Sequence, residues 1–177
     1  MRRQQLAGLG LVAALSFGSW PDTPTRFHQA DAQAWVGGQP TEEDLALFCG
    51  AGVRTVIDLR QDVEHDVCVE QMAATRLGMM FVHIPVRPDA PEIRDADAFL
   101  AVTARPDTFP MLIHCASGNR AAAFWMIRRL VVDGWPADAA ETEARRIGLR
   151  SAALRDFALD YAARRVATDS GPEEDEP

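Results

Sequence analysis

The segment from Pro110 to Leu130, PMLIHCASGNRAAAFWMIRRL, constrains the fold more than any other stretch of this chain. A short apolar run, Met111 to His114, has no polar interruption and reads as a strand buried on both faces. It passes straight through Cys115, Ala116, Ser117, Gly118, Asn119 and Arg120 into a strong helical pattern from Ala121 to Val132. A buried strand that feeds a tight turn and then a helix is half of a parallel β-α-β unit.

The rest of the body repeats that alternation. Thr41 stands as an N-cap before the acids of TEED, and the helix that follows stops at Gly50 and Gly52. Val53 to Leu59, VRTVIDL, is a β-branched strand. A helix is expected from Asp66 to Leu77, a strand from Met80 to Ile84 and a helix from Ala96 to Ala104. After the break at Gly134-Trp135-Pro136, helices are expected over 137–147 and 151–166. Residues 27–40 mix turn formers with aromatics and lead into the domain. The expected class is α/β, a mainly parallel central sheet flanked by helices. There is no internal repeat.

Composition limits the chemistry. All 18 basic residues are arginine, so a lysine phosphate loop, a Schiff base and a pyridoxal phosphate attachment are excluded. Any cation that binds an anionic substrate is then a guanidinium, which grips phosphate through two parallel hydrogen bonds. The other arginines read mostly as solvated charges on helix faces. The formal net charge of −8 argues against a nucleic-acid partner.

The chain divides into three parts. In residues 1–20, MRRQQ precedes an apolar stretch from Leu6 to Phe17, the pattern of an export signal or, if retained, a membrane tether. The expected location is therefore outside the cytoplasm, in a periplasm or secreted. Residues 27–167 form the domain, and residues 168–177, rich in acids, are expected to be a disordered tail. Cys49 and Cys68, in apolar helical contexts, read as buried inert thiols.

Cys115 is set apart by its surroundings. In a parallel sheet, ligands bind at the carboxyl ends of strands, where the 115–120 loop falls. Backbone N–H groups of Ala116, Ser117, Gly118 and Asn119 can curl into a cradle, and the following helix adds its positive end. Such a site holds a tetrahedral oxyanion, and a cysteine there gains thiolate character.

HCASGNR resembles the signature of the cysteine-dependent protein tyrosine and dual-specificity phosphatases, whose loop begins His-Cys and ends in Arg. WVGGQPTEEDL, GVRTVIDLRQDVE and FVHIPV are similar to that family's lead-in segment, first sheet strand with its Leu-Arg…Glu element, and the strand before its acid loop. The resemblance runs over about residues 27–150 and is nearest to the bacterial phosphatase-like group that includes the beta-lactamase hydrolase-like proteins. It implies a tyrosine-phosphatase-like fold and hydrolysis of phosphomonoesters, on a protein or a small molecule, with no cofactor and no metal.

By the same resemblance, Cys115 is the nucleophile, Arg120 and the loop amides of residues 116–119 bind the phosphate, and His114 tunes the thiolate. Asp89, in VRPDAP, matches the position of the general acid; Asp95 and Asp97 are alternatives, Asp95 reading better as a helix N-cap. Arg60, Asp62 and Glu64 read as a structural ion-pair cluster under the sheet, and Phe124, Trp125 and Ile127 as core. Two departures from the family stand out. Four residues separate Cys115 from Arg120 where tyrosine phosphatases have five, a spacing typical of rhodanese sulfurtransferases. Ala121 occupies the place of a Ser or Thr that helps the phosphoenzyme break down, with Ser117 a candidate substitute. A Cys115 persulfide sulfurtransferase and a weakly active phosphate-binding module are therefore the alternative functions.

Overall fold

A computed structural model describes residues 25–169. Both terminal assignments, the export signal and the acidic tail, lie outside the described residues apart from 168 and 169. Within them, five strands, β1 (Phe27–Asp31), β2 (Ala34–Gly37), β3 (Thr55–Asp58), β4 (Met80–His83) and β5 (Met111–His114), form one sheet in the order β1-β2-β5-β3-β4. β2, β5, β3 and β4 run parallel, and β1 pairs antiparallel with β2 at the edge. The mainly parallel sheet is as expected. The lead-in segment, however, is a β-hairpin rather than a connecting stretch. Its second strand, AWVG, is buried on both faces and shows no alternation that would betray it.

Six helices cover the sheet: α1 (Glu42–Gly50), α2 (Val67–Arg76), α3 (Ile93–Thr103), α4 (Asn119–Val131), α5 (Ala137–Arg146) and α6 (Ala152–Asp169). Their starts follow from capping. The Thr41 side chain accepts from the Asp44 N–H while Asp44 accepts from the Thr41 N–H, and Asp66 accepts from the Cys68 N–H. In α3 the N-cap is Glu92, and Asp95 sits three residues inside, accepting from the Glu92 N–H at 2.9 Å. The assignment of Asp95 as N-cap is corrected accordingly.

The period of two along each strand sorts the core into two layers. Val56 and Leu112 face α1 and α2, where Phe48, Ala74 and Trp35 pack against them. Ile57, Met111 and Ile113 face the other way, toward α3 to α6, with Phe99, Phe124, Trp125 and Ile127 fully buried among them. The expected core role of Phe124, Trp125 and Ile127 is what the packing shows. Burying each such side chain contributes about 1.5–3 kcal/mol, so α4 is a main anchor of the fold.

The arginines are less solvated than their placement on helices suggests. Arg60 and Arg129 are buried, Arg129 donating to Glu143, Asp133 and the Ala30 carbonyl. Cys49 is half-buried, its Sγ 3.3 Å from the Leu77 carbonyl. Cys68 is exposed, contrary to expectation, because it lies on the outer side of the first turn of α2. Among the described residues no helix is long and apolar enough to cross a membrane.

Candidate active site

The loop between β5 and α4 lies at the carboxyl end of the central strand, flanked by β2 and β3. Strand alternation determines where its side chains go. His114 shares the face of Leu112 and turns toward α2, where its Nε2 lies 2.7 Å from Glu70 Oε1. Cys115, one residue on, turns the opposite way and is 1% exposed. The close contact of His114 is thus with the carboxylate under the sheet, and its hold on the loop is through the backbone it anchors.

The loop is held close. The Cys115 N–H donates to the Gly37 carbonyl at 3.3 Å, and the Gln39 N–H to the Ala116 carbonyl at 3.3 Å. Gly38 and Ser117 form an isolated bridge. Gly118 caps α4 with φ of +89°, a left-handed conformation that a side chain disfavours. A Cβ there would also lie 3.3 Å from the Gly37 carbonyl carbon. This turn aims the Gly118 N–H at Cys115 Sγ, 3.2 Å away. Asn119 Oδ1 accepts from the Arg150 N–H at 2.8 Å and the Ser151 N–H at 3.2 Å, tying the loop to the connection between α5 and α6.

Arg120 is buried and spread over four bonds. Its Nη1 donates to the carbonyls of Leu59 at 3.1 Å and Val86 at 2.9 Å. The same nitrogen lies 2.6 Å from Glu64 Oε1, and Nη2 lies 2.7 Å from Glu64 Oε2, a two-pronged pair that fixes the plane of the guanidinium. Burial works against its charge, but the hydrogen bond it donates to Glu64 and the attraction of the Cys115 sulfur outweigh it, so its pKa is raised. Glu64 is held below the ordinary carboxylate range, first by the Arg120 hydrogen bond, against the opposing effect of burial. A carboxylate with a depressed folded-state pKa stabilises the fold above its unfolded value of about 4.3, and that contribution is lost as pH falls through the folded value.

The direct ion pair of Glu64 is therefore with Arg120, and Arg60 acts on it only as a more distant charge. Arg60 pairs instead with Asp58, through Nε at 3.0 Å and Nη2 at 2.9 Å, and with Glu70. Burial tends to raise the pKa of Asp58, and the Arg60 hydrogen bonds with the neighbouring His114 more than offset it. Asp62 is exposed, 3.6 Å from His83. The partner of Arg120 stands 56 residues away in sequence, and only the Leu-Arg…Glu element hinted at it.

The acid candidates are placed differently from one another. Asp89 follows β4 in an exposed loop, its carboxylate 3.3 Å from Arg87. That loop starts at the Arg120 guanidinium, since the Val86 carbonyl is one of its acceptors. Asp97 faces α6: it accepts from the Tyr161 hydroxyl at 2.5 Å, and burial with this bond pushes Tyr161 up to about 12. Asp95 is occupied in the first turn of α3, accepting from the Glu92 N–H. Of the three, Asp89 alone lies in a loop outside the helices, paired only with the exposed Arg87. Ala121 is fully buried in α4.

A family described as DSP-PTPase phosphatase fused to NAD+ kinase matches residues 14–152. The beta-lactamase hydrolase-like protein of Xylella fastidiosa (strain Temecula1 / ATCC 700964) is 32% identical over 103 residues, 56% of this chain and 23% of that protein. The match thus spans about a quarter of the relative's length. Among solved structures, a candidate phosphatase of the DUF442 type from Shewanella putrefaciens CN-32 superposes with a TM-score of 0.68 and 28% identity, covering 78% of this chain and 92% of that one. The core catalytic domain of the PP-IP phosphatase SIW14 from S. cerevisiae shares the fold, with a TM-score of 0.67 and 18% identity over 83% of this chain and 93% of that one. The fold is that of the dual-specificity and tyrosine phosphatases, and the chain belongs to the family described as DSP-PTPase phosphatase fused to NAD+ kinase.

Proposed function

We propose that this chain is a cysteine-dependent phosphomonoesterase that works through a phosphocysteine intermediate. The observation that carries the reading is the convergence on one loop of a buried cysteine, an amide aimed at its sulfur and a guanidinium fixed by Glu64. Cys115 attacks phosphorus in line, forming the S–P bond as the bond to the leaving oxygen breaks. Arg120 and the amides of Ala116, Ser117, Gly118 and Asn119 take up the charge on the equatorial oxygens. Asp89 protonates the leaving oxygen and then accepts a proton from the attacking water. No metal or cofactor enters these steps. With Ala121 beside Arg120, no hydroxyl at that position assists the departing sulfur, so hydrolysis of the intermediate is the slow step.

The four-residue loop favours one other reading, sulfur transfer through a Cys115 persulfide. The two are separated by assaying hydrolysis of p-nitrophenyl phosphate against transfer of sulfur from thiosulfate to cyanide. Phosphate release without thiocyanate supports the phosphatase, and thiocyanate without phosphate release overturns it. The role of Asp89 has its own readout. Asp89→Asn is expected to lower kcat on the order of 10²-fold for an alkyl phosphate, whose leaving group needs a proton. The loss should be much smaller for p-nitrophenyl phosphate, whose leaving group needs little help. Equal losses on both substrates, or none, would remove Asp89 from the mechanism.

A further inference from the structure

A cavity of about 400 Å³ opens beside the Cys115–Arg120 loop, and all four residues between the cysteine and the arginine contribute to its wall. Arg26, His28 and Arg150 also line it, with no carboxylate among the lining residues. This is unusual in a chain of net charge −8. Most described arginines rest on an acid: Arg60 on Asp58, Arg105 on Asp107, Arg128 on Asp133, Arg129 on Glu143.

Arg150 and its neighbour Arg146 have no such partner among the described residues. Arg150 is instead braced through Nη1 by the carbonyls of Arg145 at 2.7 Å and Leu149 at 2.9 Å. Its backbone N–H is one of the two that Asn119 Oδ1 accepts, so the backbone carrying this cation is fixed relative to the loop. His28 feels the same positive field: burial first, then Arg146 and Arg150, push it below the ordinary imidazole range. Only Arg26 is neutralised, by Asp44. The fold thus leaves Arg150 without an acid at a concave surface that shares its wall with the reactive loop, and a guanidinium held in place there offers a bound anion charge-assisted hydrogen bonds.

We propose that this cavity binds a second anionic group of the substrate, and that the preferred substrate is a compact small molecule carrying at least two phosphates. The inference rests on the phosphomonoesterase reading and deepens it. Concavity and volume favour a small molecule over a polypeptide, which would lie across a shallower surface. Arg150 and His28 then determine specificity by contacting the phosphate that is not cleaved.

The test compares glucose 1,6-bisphosphate with glucose 6-phosphate. The wild-type chain is expected to show a kcat/KM ratio of roughly 10-fold or more in favour of the bisphosphate, the scale of one charge-assisted hydrogen bond. Arg150→Gln should bring that ratio close to one, mainly through KM, and Arg146→Gln should lower it in part. Arg76→Gln, an arginine on the far helix α2, should leave the ratio alone. Direct binding of glucose 1,6-bisphosphate to Cys115→Ser, measured by calorimetry and weakened about 10-fold by adding Arg150→Gln, supports the subsite without any turnover. A wild-type ratio near one, or binding that Arg150→Gln leaves unchanged, overturns the proposal. So does a doubly phosphorylated peptide that is turned over better than the sugar bisphosphate. Failure of the phosphatase reading is seen separately, as absent hydrolysis of p-nitrophenyl phosphate while calorimetric binding persists.

Discussion

Cys115→Ser should abolish hydrolysis of aryl phosphates, with kcat/KM lower by about 10⁴-fold or more, the loss typical of removing a covalent nucleophile. The substitution keeps the size of the side chain in a site that is 1% exposed, so the fold should survive with little change in Tm. What it removes is a polarisable sulfur facing the Gly118 N–H at 3.2 Å, in favour of a hydroxyl that does not ionise near neutral pH. Binding of inorganic phosphate should persist, because Arg120 and the loop amides are untouched. Activity within tenfold of the unmodified protein would show that some other group attacks phosphorus.

Arg120→Lys should cost roughly 10²–10³-fold in kcat/KM, the range seen when one donor to a developing oxyanion is lost. Lysine keeps the charge but not the planar fork, and four bonds depend on that fork: two to Glu64 and one each to the carbonyls of Leu59 and Val86. Leaving the two carbonyls without a donor should lower stability by about 1–3 kcal/mol, visible as a fall in Tm. The variant therefore fails in chemistry and in stability together, unlike Cys115→Ser, which fails in chemistry alone. Retention of full activity by Arg120→Lys would mean that charge alone, without fork geometry, stabilises the transition state.

The sequence made the sheet's interior and the reactive loop visible for a common reason. VRTVIDL and MLIH are short apolar runs bounded by turns, and HCASGNR joins a strand to a helix with a glycine where the backbone must take a positive φ. The hairpin at 27–37 was hidden because its strands are only five and four residues long and β2 is buried on both sides. Proximity in the chain groups Glu64 with Arg60. The structure separates them because Arg60, on the buried side of the strand end, reaches Asp58 and Glu70, while Glu64, carried out by the turn at 62–64, reaches Arg120. Likewise the direction of His114 depends on strand alternation combined with the position of α2, which no local pattern contains. The cationic cavity needed the chain folded too, since Arg26, His28 and Arg150 come from its two ends.

The covalent intermediate is the step on which the proposed chemistry depends most directly. Mixing the protein with p-nitrophenyl phosphate, quenching in acid within the first turnovers and sequencing by mass spectrometry should find a phosphoryl group on the peptide containing Cys115. A burst of p-nitrophenol matching the amount of protein should accompany it, because Ala121 leaves breakdown of the intermediate slow. An unmodified Cys115 peptide with linear product release, or the same peptide carrying an extra sulfur after exposure to thiosulfate and no phosphoryl group after exposure to the ester, would contradict it.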